Sequence, residues 1–147
     1  MELTQKQIIK MLLYNCAEFN KWRKENDIDG LNLQGVSLYR ADLTGVNLSG
    51  CDLSFSDLSS ANLESANLSH AELKEVDFRG SNLKDAKLRH SNITGADLRE
   101  TTLDGADFTG ANLISADLRE SKDEKADFAG ACLEDIQPST GYRQGMR

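Results

Sequence analysis

From Leu31 to Asp135 the chain reads LNLQG VSLYR ADLTG VNLSG CDLSF SDLSS ANLES ANLSH AELKE VDFRG SNLKD AKLRH SNITG ADLRE TTLDG ADFTG ANLIS ADLRE SKDEK ADFAG ACLED, twenty-one five-residue units with no insertion. The third residue of each unit is Leu sixteen times, Phe at 78, 108 and 128, Ile at 93, and Asp only at 123. The first residue is Ala eleven times and otherwise mostly Ser or Val, and the second is Asp or Asn fifteen times. The fourth and fifth positions read as free and largely polar. A register held over 105 residues is a repeat architecture, and it decides the fold.

A period of five fits neither the 3.6 of a helix nor the 2 of a flat strand. Residues two apart lie on one face of an extended segment, so the large third residue and the small first residue can both point inward. Each short side must then turn to let the next unit form the next wall. Asp and Asn suit those bends because their side chains bond nearby backbone, and Gly at 35, 45, 50, 80, 95, 105, 110 and 130 serves the same end.

These residues resemble the pentapeptide-repeat family, whose pattern is A(D/N)LXX. The resemblance covers about seven-tenths of the chain. It implies a β-solenoid: a right-handed quadrilateral β-helix with four units to a coil, hence about five coils and a rod roughly 25 Å long at the strand spacing of a sheet. Residues twenty apart then stack. Leu33, Leu53, Leu73, Ile93, Leu113 and Leu133 form one ladder, and Leu38, Leu58, Phe78, Leu98 and Leu118 the next. Leu43, Leu63, Leu83 and Leu103 form a third that Asp123 breaks, and Leu48, Leu68, Leu88, Phe108 and Phe128 a fourth. Ala and Ser fill the corners.

A buried, unpaired carboxylate costs several kcal/mol in rough terms. Residues 121–125 are therefore expected to bulge outward and place Asp123 in solvent, as a tolerated defect or a binding loop.

An open solenoid exposes unpaired strand edges, and the first thirty residues look like the remedy. Thr4 and Gln7 form a capping box with a Leu3/Ile8 staple, and Asn15 with Glu18 suggests a second box. Helices are predicted at about 5–14 and 16–25. Ile8, Ile9, Leu12, Leu13, Phe19 and Trp22 supply an apolar face for the first coil, and Ile28 keeps the repeat register as a candidate core residue. The expected organisation is a helical cap at 1–27, the repeat at 28–136 and a polar tail at 137–147. In that tail either Ile136, Tyr142 and Met146 fold over the last coil, or two molecules meet end to end; partial disorder is the favoured expectation.

The net charge of −7 is uneven. Residues 1–30 balance five acids with five bases, residues 31–135 carry nineteen acids and ten bases, and Arg143 and Arg147 follow. An acidic body disfavours direct nucleic-acid binding. No stretch approaches the ~18 apolar residues of a membrane span, and Lys10 breaks the run Ile8–Tyr14 that a secretory leader would need, so a cytoplasmic location is expected. Cys16, Cys51 and Cys132 lack metal-ligand spacing and read as reduced thiols, the first and last near opposite ends.

No nucleophile elbow, phosphate loop or zincin motif is present, and a packed solenoid wall offers no pocket, so an enzyme and a cofactor are not expected. His70 and His90 should stack beside Gly50 and Gly110, a pair without a third ligand. The candidate interaction surface is the ladder Asp57, Asp77, Asp97 and Asp117 beside Arg79, Arg99 and Arg119, together with Asp123. Interleaved opposite charges relieve the repulsion of stacked like ones, and an ordered charge pattern on a flat wall is also readable by a partner. The expected function is a scaffold or protein-interaction module, monomeric or an end-to-end homodimer, with an unidentified protein partner. The alternative is a duplex-DNA mimic acting on a type II topoisomerase such as DNA gyrase, as some members of the resembled family do; against it stand the Leu-rich core, the short rod and the helical N-terminus.

Overall fold

The computed structural model describes residues 2–140. Every second residue of a unit from Asn32 to Asp117 forms a parallel bridge with the residue twenty positions later, as in Asn32↔Asp52, Asp57↔Asp77 and Thr102↔Lys122. A period of twenty is four units per circuit, so each unit is one wall. Each wall is so short that its pairing is an isolated bridge rather than an extended strand. We number the walls from the units beginning at Leu31 (first), Val36 (second), Ala41 (third) and Val46 (fourth).

Three backbone bonds tie each unit to its neighbours. Leu33 N–H donates to Asp52 O at 2.7 Å and Gly35 N–H to Ser54 O at 3.0 Å in the coil above, while Asp52 N–H donates back to Leu31 O at 2.9 Å. The corner is a β-turn from the third residue to the first of the next unit, as in Ala41 N–H to Leu38 O at 3.1 Å. Its fifth-position residue has positive φ, +58° at Arg40 and +65° at Gly45, which is the type II signature. The second-position side chain braces the turn: Asp42 Oδ1 accepts from Thr44 N–H at 3.2 Å, and Asn82 Oδ1 from Lys84 N–H at 3.0 Å.

The fifth position is therefore not free. Twelve non-glycine residues of the repeat hold left-handed backbone there, among them Phe55, His70, Glu75 and Ser115. Each such residue costs roughly 1–2 kcal/mol that glycine avoids. The repeat imposes this conformation because the ladder bonds on either side of the corner require it.

Inside, the four ladders of third-position residues are buried as the register dictates, with Leu33 through Leu118 fully enclosed. Phe108 and Phe128 stack with ring centroids 5.0 Å apart and planes 11° apart. Small corner residues fill the gaps, and some buried hydroxyls there bond the backbone, Ser56 Oγ donating to Leu33 O at 2.9 Å and Thr101 Oγ1 to Leu98 O at 2.7 Å, while Ser81 Oγ and Ser121 Oγ find no partner among the described residues.

Helices α1 (Gln5–Tyr14) and α2 (Cys16–Glu25) precede the repeat. The Thr4–Gln7 capping box is complete, whereas at α2 Asn15 accepts from Glu18 N–H without the reciprocal backbone bond. Ile8, Leu12 and Phe19 join the same buried cluster as the first coil. Polar clamps fix the junction: Gln5 Nε2 donates to Asn32 O at 3.1 Å, Asn20 Nδ2 to Gly45 O at 3.0 Å, and Arg23 spans Ile28 O at 2.8 Å and Ser49 O at 2.7 Å. Ile28 itself is not core; it is 39% exposed, because Arg23 holds its carbonyl at the rim while the inward register starts at Leu31. At the far end the ladder continues through Gln137, which pairs with Asp117. Of the residues expected in the tail contacts, Ile136 packs against the core cluster and Ser139 is buried, whereas Tyr142, Met146 and the rest of the tail from 141 onward lie outside the described residues.

Candidate interaction surface

On the second wall the Asp–Arg ladder forms as a continuous chain. Arg79 binds Asp77 through two bonds, Nε to Oδ1 at 2.9 Å and an Nη2 contact to Oδ2 at 2.6 Å, and its Nε also lies 3.7 Å from Asp97 of the next coil. Arg99 repeats this between Asp97 at 2.7 Å and Asp117 at 3.6 Å, and Arg119 closes on Asp117 at 2.7 Å. The cause is geometric. Second- and fourth-position side chains leave the same face of the wall, so each guanidinium falls between the carboxylate of its own coil and that of the next. The hydrogen bond from Arg79 holds the Asp77 carboxyl below the usual carboxylate range, and the bond from Arg119 does the same for Asp117; Arg99 adds its charge to both.

Asp57 is different. Ser59 occupies the position that Arg79, Arg99 and Arg119 hold above it, and among the described residues the Asp57 carboxylate accepts only from Ser59, through its N–H at 2.9 Å and its hydroxyl. Among the described residues Asp57 makes no ion pair.

Asp123 corrects the expectation drawn from the sequence. Its side chain is 3% exposed and continues the third wall inward above Leu103 rather than bulging into solvent. Lys122 keeps its bridge to Thr102, so the wall is intact. The departure is confined to the turn: Lys125 lacks the left-handed φ of other fifth positions, and Gly105 N–H reaches Lys125 O at 3.2 Å instead of residue 124. Ser139 Oγ donates to Asp123 Oδ1 at 2.7 Å, and Oδ2 has no partner among the described residues. Burial pushes this carboxyl up.

His70 and His90 stack with centroids 5.3 Å apart, the His90 ring lying over Gly110, where an added Cβ would meet Nδ1 at 2.4 Å. Among the described residues no group of three or more His, Cys, Asp or Glu is placed to hold a metal. One cleft of about 460 Å³ lies on the third wall near its C-terminal end, beside Asp104, Glu120, Glu124, Lys125 and Thr140, and another of about 490 Å³ between the two helices is lined by Leu3, Met11 and Trp22.

The walls differ in charge. The first carries Asp52, Glu72, Glu75, Glu134 and Asp135 against Lys74 alone, while the fourth balances Asp107 and Asp127 with Lys87 and Arg89. Two exposed aromatics of the repeat lie outside the candidate surface read from the sequence: Tyr39, 54% exposed, and Phe55, 60% exposed. The signal was present in the units VSLYR and CDLSF, where an aromatic stands at an outward position filled elsewhere mostly by polar or small residues.

The pentapeptide-repeat family model, in eight copies, matches residues 27–59, 56–95 and 91–122. The chain belongs to the pentapeptide-repeat family. Among solved structures it is similar to a pentapeptide-repeat protein from Nostoc PCC 7120, at 30% identity over 76% of this chain and 78% of that one, with a TM-score of 0.58. It is also similar to one from the Arabidopsis thaliana thylakoid lumen, at 29% identity over 60% of this chain and 61% of that one, with a TM-score of 0.57. The chain thus spans less than two-thirds of the Arabidopsis protein. These pentapeptide-repeat neighbours imply a right-handed β-helix, and they indicate no enzymatic family. The plasmid-mediated fluoroquinolone resistance protein QnrB1 matches at 21% identity over 76% of this chain and 74% of that one with a TM-score of 0.27, too distant to transfer any property. No functionally curated relative matches the chain in sequence.

Proposed function

We propose that this pentapeptide-repeat protein is a non-catalytic scaffold: a right-handed quadrilateral β-helix of about five coils, closed at its N-terminal end by α1 and α2, that presents its second wall to a protein partner. The observation that carries the reading is the Asp77–Arg79–Asp97–Arg99–Asp117–Arg119 ladder. It fixes alternating charges at one coil spacing on a flat, rigid face, which gives specificity and steering to an encounter. Helices over the first coil cover an edge that would otherwise pair with another chain. A cytoplasmic location and either a monomer or an end-to-end dimer complete the proposal.

The test is quantitative cross-linking in source-cell lysate with three proteins: the parent, the second-wall triple Arg79→Glu/Arg99→Glu/Arg119→Glu, and the first-wall pair Glu72→Lys/Glu75→Lys. A partner lost only by the second-wall triple supports the reading. A partner set that the triple leaves intact overturns it.

One observation favours a second reading, DNA mimicry toward a type II topoisomerase: the excess of nineteen acids over ten bases in residues 31–135. The charge-balanced fourth wall weighs against it, because a duplex is acidic around its whole circumference. Inhibition of gyrase supercoiling by the purified protein would revive that reading; inactivity would dismiss it.

A further inference from the structure

The second wall has a vacancy at its N-terminal end. Arg79, Arg99 and Arg119 occupy three successive fourth positions, each seated on the Asp two residues before it. One coil lower the Asp is present as Asp57 but the fourth position is Ser59. A guanidinium belongs by register between Asp57 and Asp77, which pair across one bridge. No ion pair to Asp57 is found among the described residues.

The vacancy is flanked by apolar surface. Tyr39 holds the fourth position directly beneath Ser59, and Phe55 is the corner residue two positions before Asp57. Both are more than half exposed. Phe55 also has φ +64°, a conformation in which a bulky side chain is strained and which the same corner satisfies with glycine at Gly35 and Gly95. It gains no burial in return. A strained, exposed aromatic retained where glycine suffices points to a role outside folding. Tyr39 already faces a cation, the Arg40 guanidinium carbon lying 5.9 Å from its ring centroid.

Resting on the reading of the second wall as the docking face, we infer that the patch formed by Tyr39, Phe55, Asp57 and Ser59 receives an arginine side chain, flanked by apolar residues, from an extended segment of the partner protein. The incoming guanidinium takes the seat that Arg79, Arg99 and Arg119 take in cis. Its apolar neighbours cover Phe55 and Tyr39. Arginine suits this seat better than lysine, because the ladder uses a planar fork on a carboxylate and an aromatic lies beside it. Aromatic residues and arginine are the residues enriched at interface centres.

Two substitutions separate this role from folding. Phe55→Gly removes the aromatic while relieving backbone strain, so the variant folds at least as well as the parent. Ser59→Arg supplies the missing guanidinium in cis and blocks the seat. The probe is the peptide Ac-Leu-Arg-Leu-NH2, titrated into ¹⁵N-labelled full-length protein and followed by amide shifts, with Ac-Leu-Gln-Leu-NH2 as control. Saturable shifts are expected at Ser37–Arg40 and Phe55–Ser60, with a dissociation constant on the order of 1 mM for so small a ligand. The Gln peptide, Phe55→Gly and Ser59→Arg should each weaken binding about tenfold.

Shifts gathered on the more acidic first wall, at Glu72, Glu75 and Glu134, would overturn the inference, since they would mean non-specific attraction. So would binding unchanged in Phe55→Gly or Ser59→Arg. Saturable shifts at Arg79–Arg119 without Phe55 and Ser59 would overturn it while leaving the second-wall scaffold reading in place. Absence of any saturable shift overturns the inference alone, because the charge-reversal experiment tests the wall independently.

Discussion

Ser139 donates to Asp123 across sixteen residues of sequence at 2.7 Å, inside the end of the third wall. The bond links the last circuit of the repeat to the segment that leaves it. It also satisfies only half of a buried carboxyl, since Oδ2 has no partner among the described residues.

That geometry makes stability depend on pH in an unusual direction. Burial raises the Asp123 carboxyl above its ordinary range, so the folded protein holds this proton more tightly than the unfolded chain. Ionisation of the group costs nothing below the unfolded carboxyl pKa of about 3.9; that penalty then grows with pH up to the folded value and is constant above it. Asp123→Leu, which completes the Leu43–Leu103 ladder, should be more stable than the parent by about 1–3 kcal/mol at neutral pH, with the gain shrinking toward pH 4. Urea denaturation of both proteins across that range checks it. A difference independent of pH would show that ionisation of Asp123 is not the cause.

The ladder carboxylates behave in the opposite sense. Asp77 and Asp117 are held down, first by hydrogen bonds from Arg79 and Arg119 and then by the charge of Arg99. Their stabilisation is present above the unfolded carboxyl pKa and is lost as pH falls through the folded values. Arg79→Gln should therefore raise the Asp77 pKa, and Arg99→Gln should raise those of Asp77 and Asp117 by less than the loss of their own arginines does. Carboxyl-carbon NMR titrations read these directly. Identical titrations in parent and variants would mean that the ion pairs do not persist in solution.

Much of this architecture was legible because the sequence repeats its instructions. The period of five and the alternation of small and large residues show which side chains face inward, while the four units per circuit that set Leu33 on Leu53 and Phe108 on Phe128 come from the family resemblance and match the observed pairing. The pairing of Arg79 with Asp77 followed from the same register. What failed was local. Burying Asp123 is costly, and the sequence reading expects its escape to solvent, whereas the structure keeps it inside and supplies one donor, Ser139, from beyond the repeat. The fifth position appeared free because side chains there vary, while the constraint lies in backbone φ and leaves no residue-type signature beyond frequent glycine. Phe55 was overlooked for that reason: its informative feature is the conformation it occupies.

The thiols should report the packing order. Cys51 is fully buried in the core, and burial pushes its thiol up to about 11. Cys16 is also raised by burial, and its Sγ donates to Leu12 O and Asp42 O. Cys132 is partly exposed in the last described coil. Native protein treated with iodoacetamide at pH 8 should be alkylated first at Cys132, more slowly at Cys16, and at Cys51 only on unfolding, because the thiolate is the nucleophile. Peptide mapping over time distinguishes the three. Early labelling of Cys51 would indicate that the first two coils open readily.

The corner conformation permits a paired test with opposite signs. Ser115 has φ +60°, so Ser115→Gly removes left-handed strain at the cost of greater freedom in the unfolded chain. Because the strain of a non-glycine residue exceeds that entropy, the variant should be more stable by up to about 1 kcal/mol. Lys125 is the fifth-position residue of the repeat without positive φ, and its carbonyl rather than that of residue 124 receives the bond from Gly105. There glycine relieves nothing and only adds unfolded-state freedom, so Lys125→Gly should destabilise by about 0.5–1 kcal/mol. Thermal denaturation of the two variants beside the parent settles the matter. Shifts of the same sign would mean that the turn at 123–126 adopts the ordinary corner in solution, and that Asp123 sits in a regular coil whose only irregularity is its own side chain.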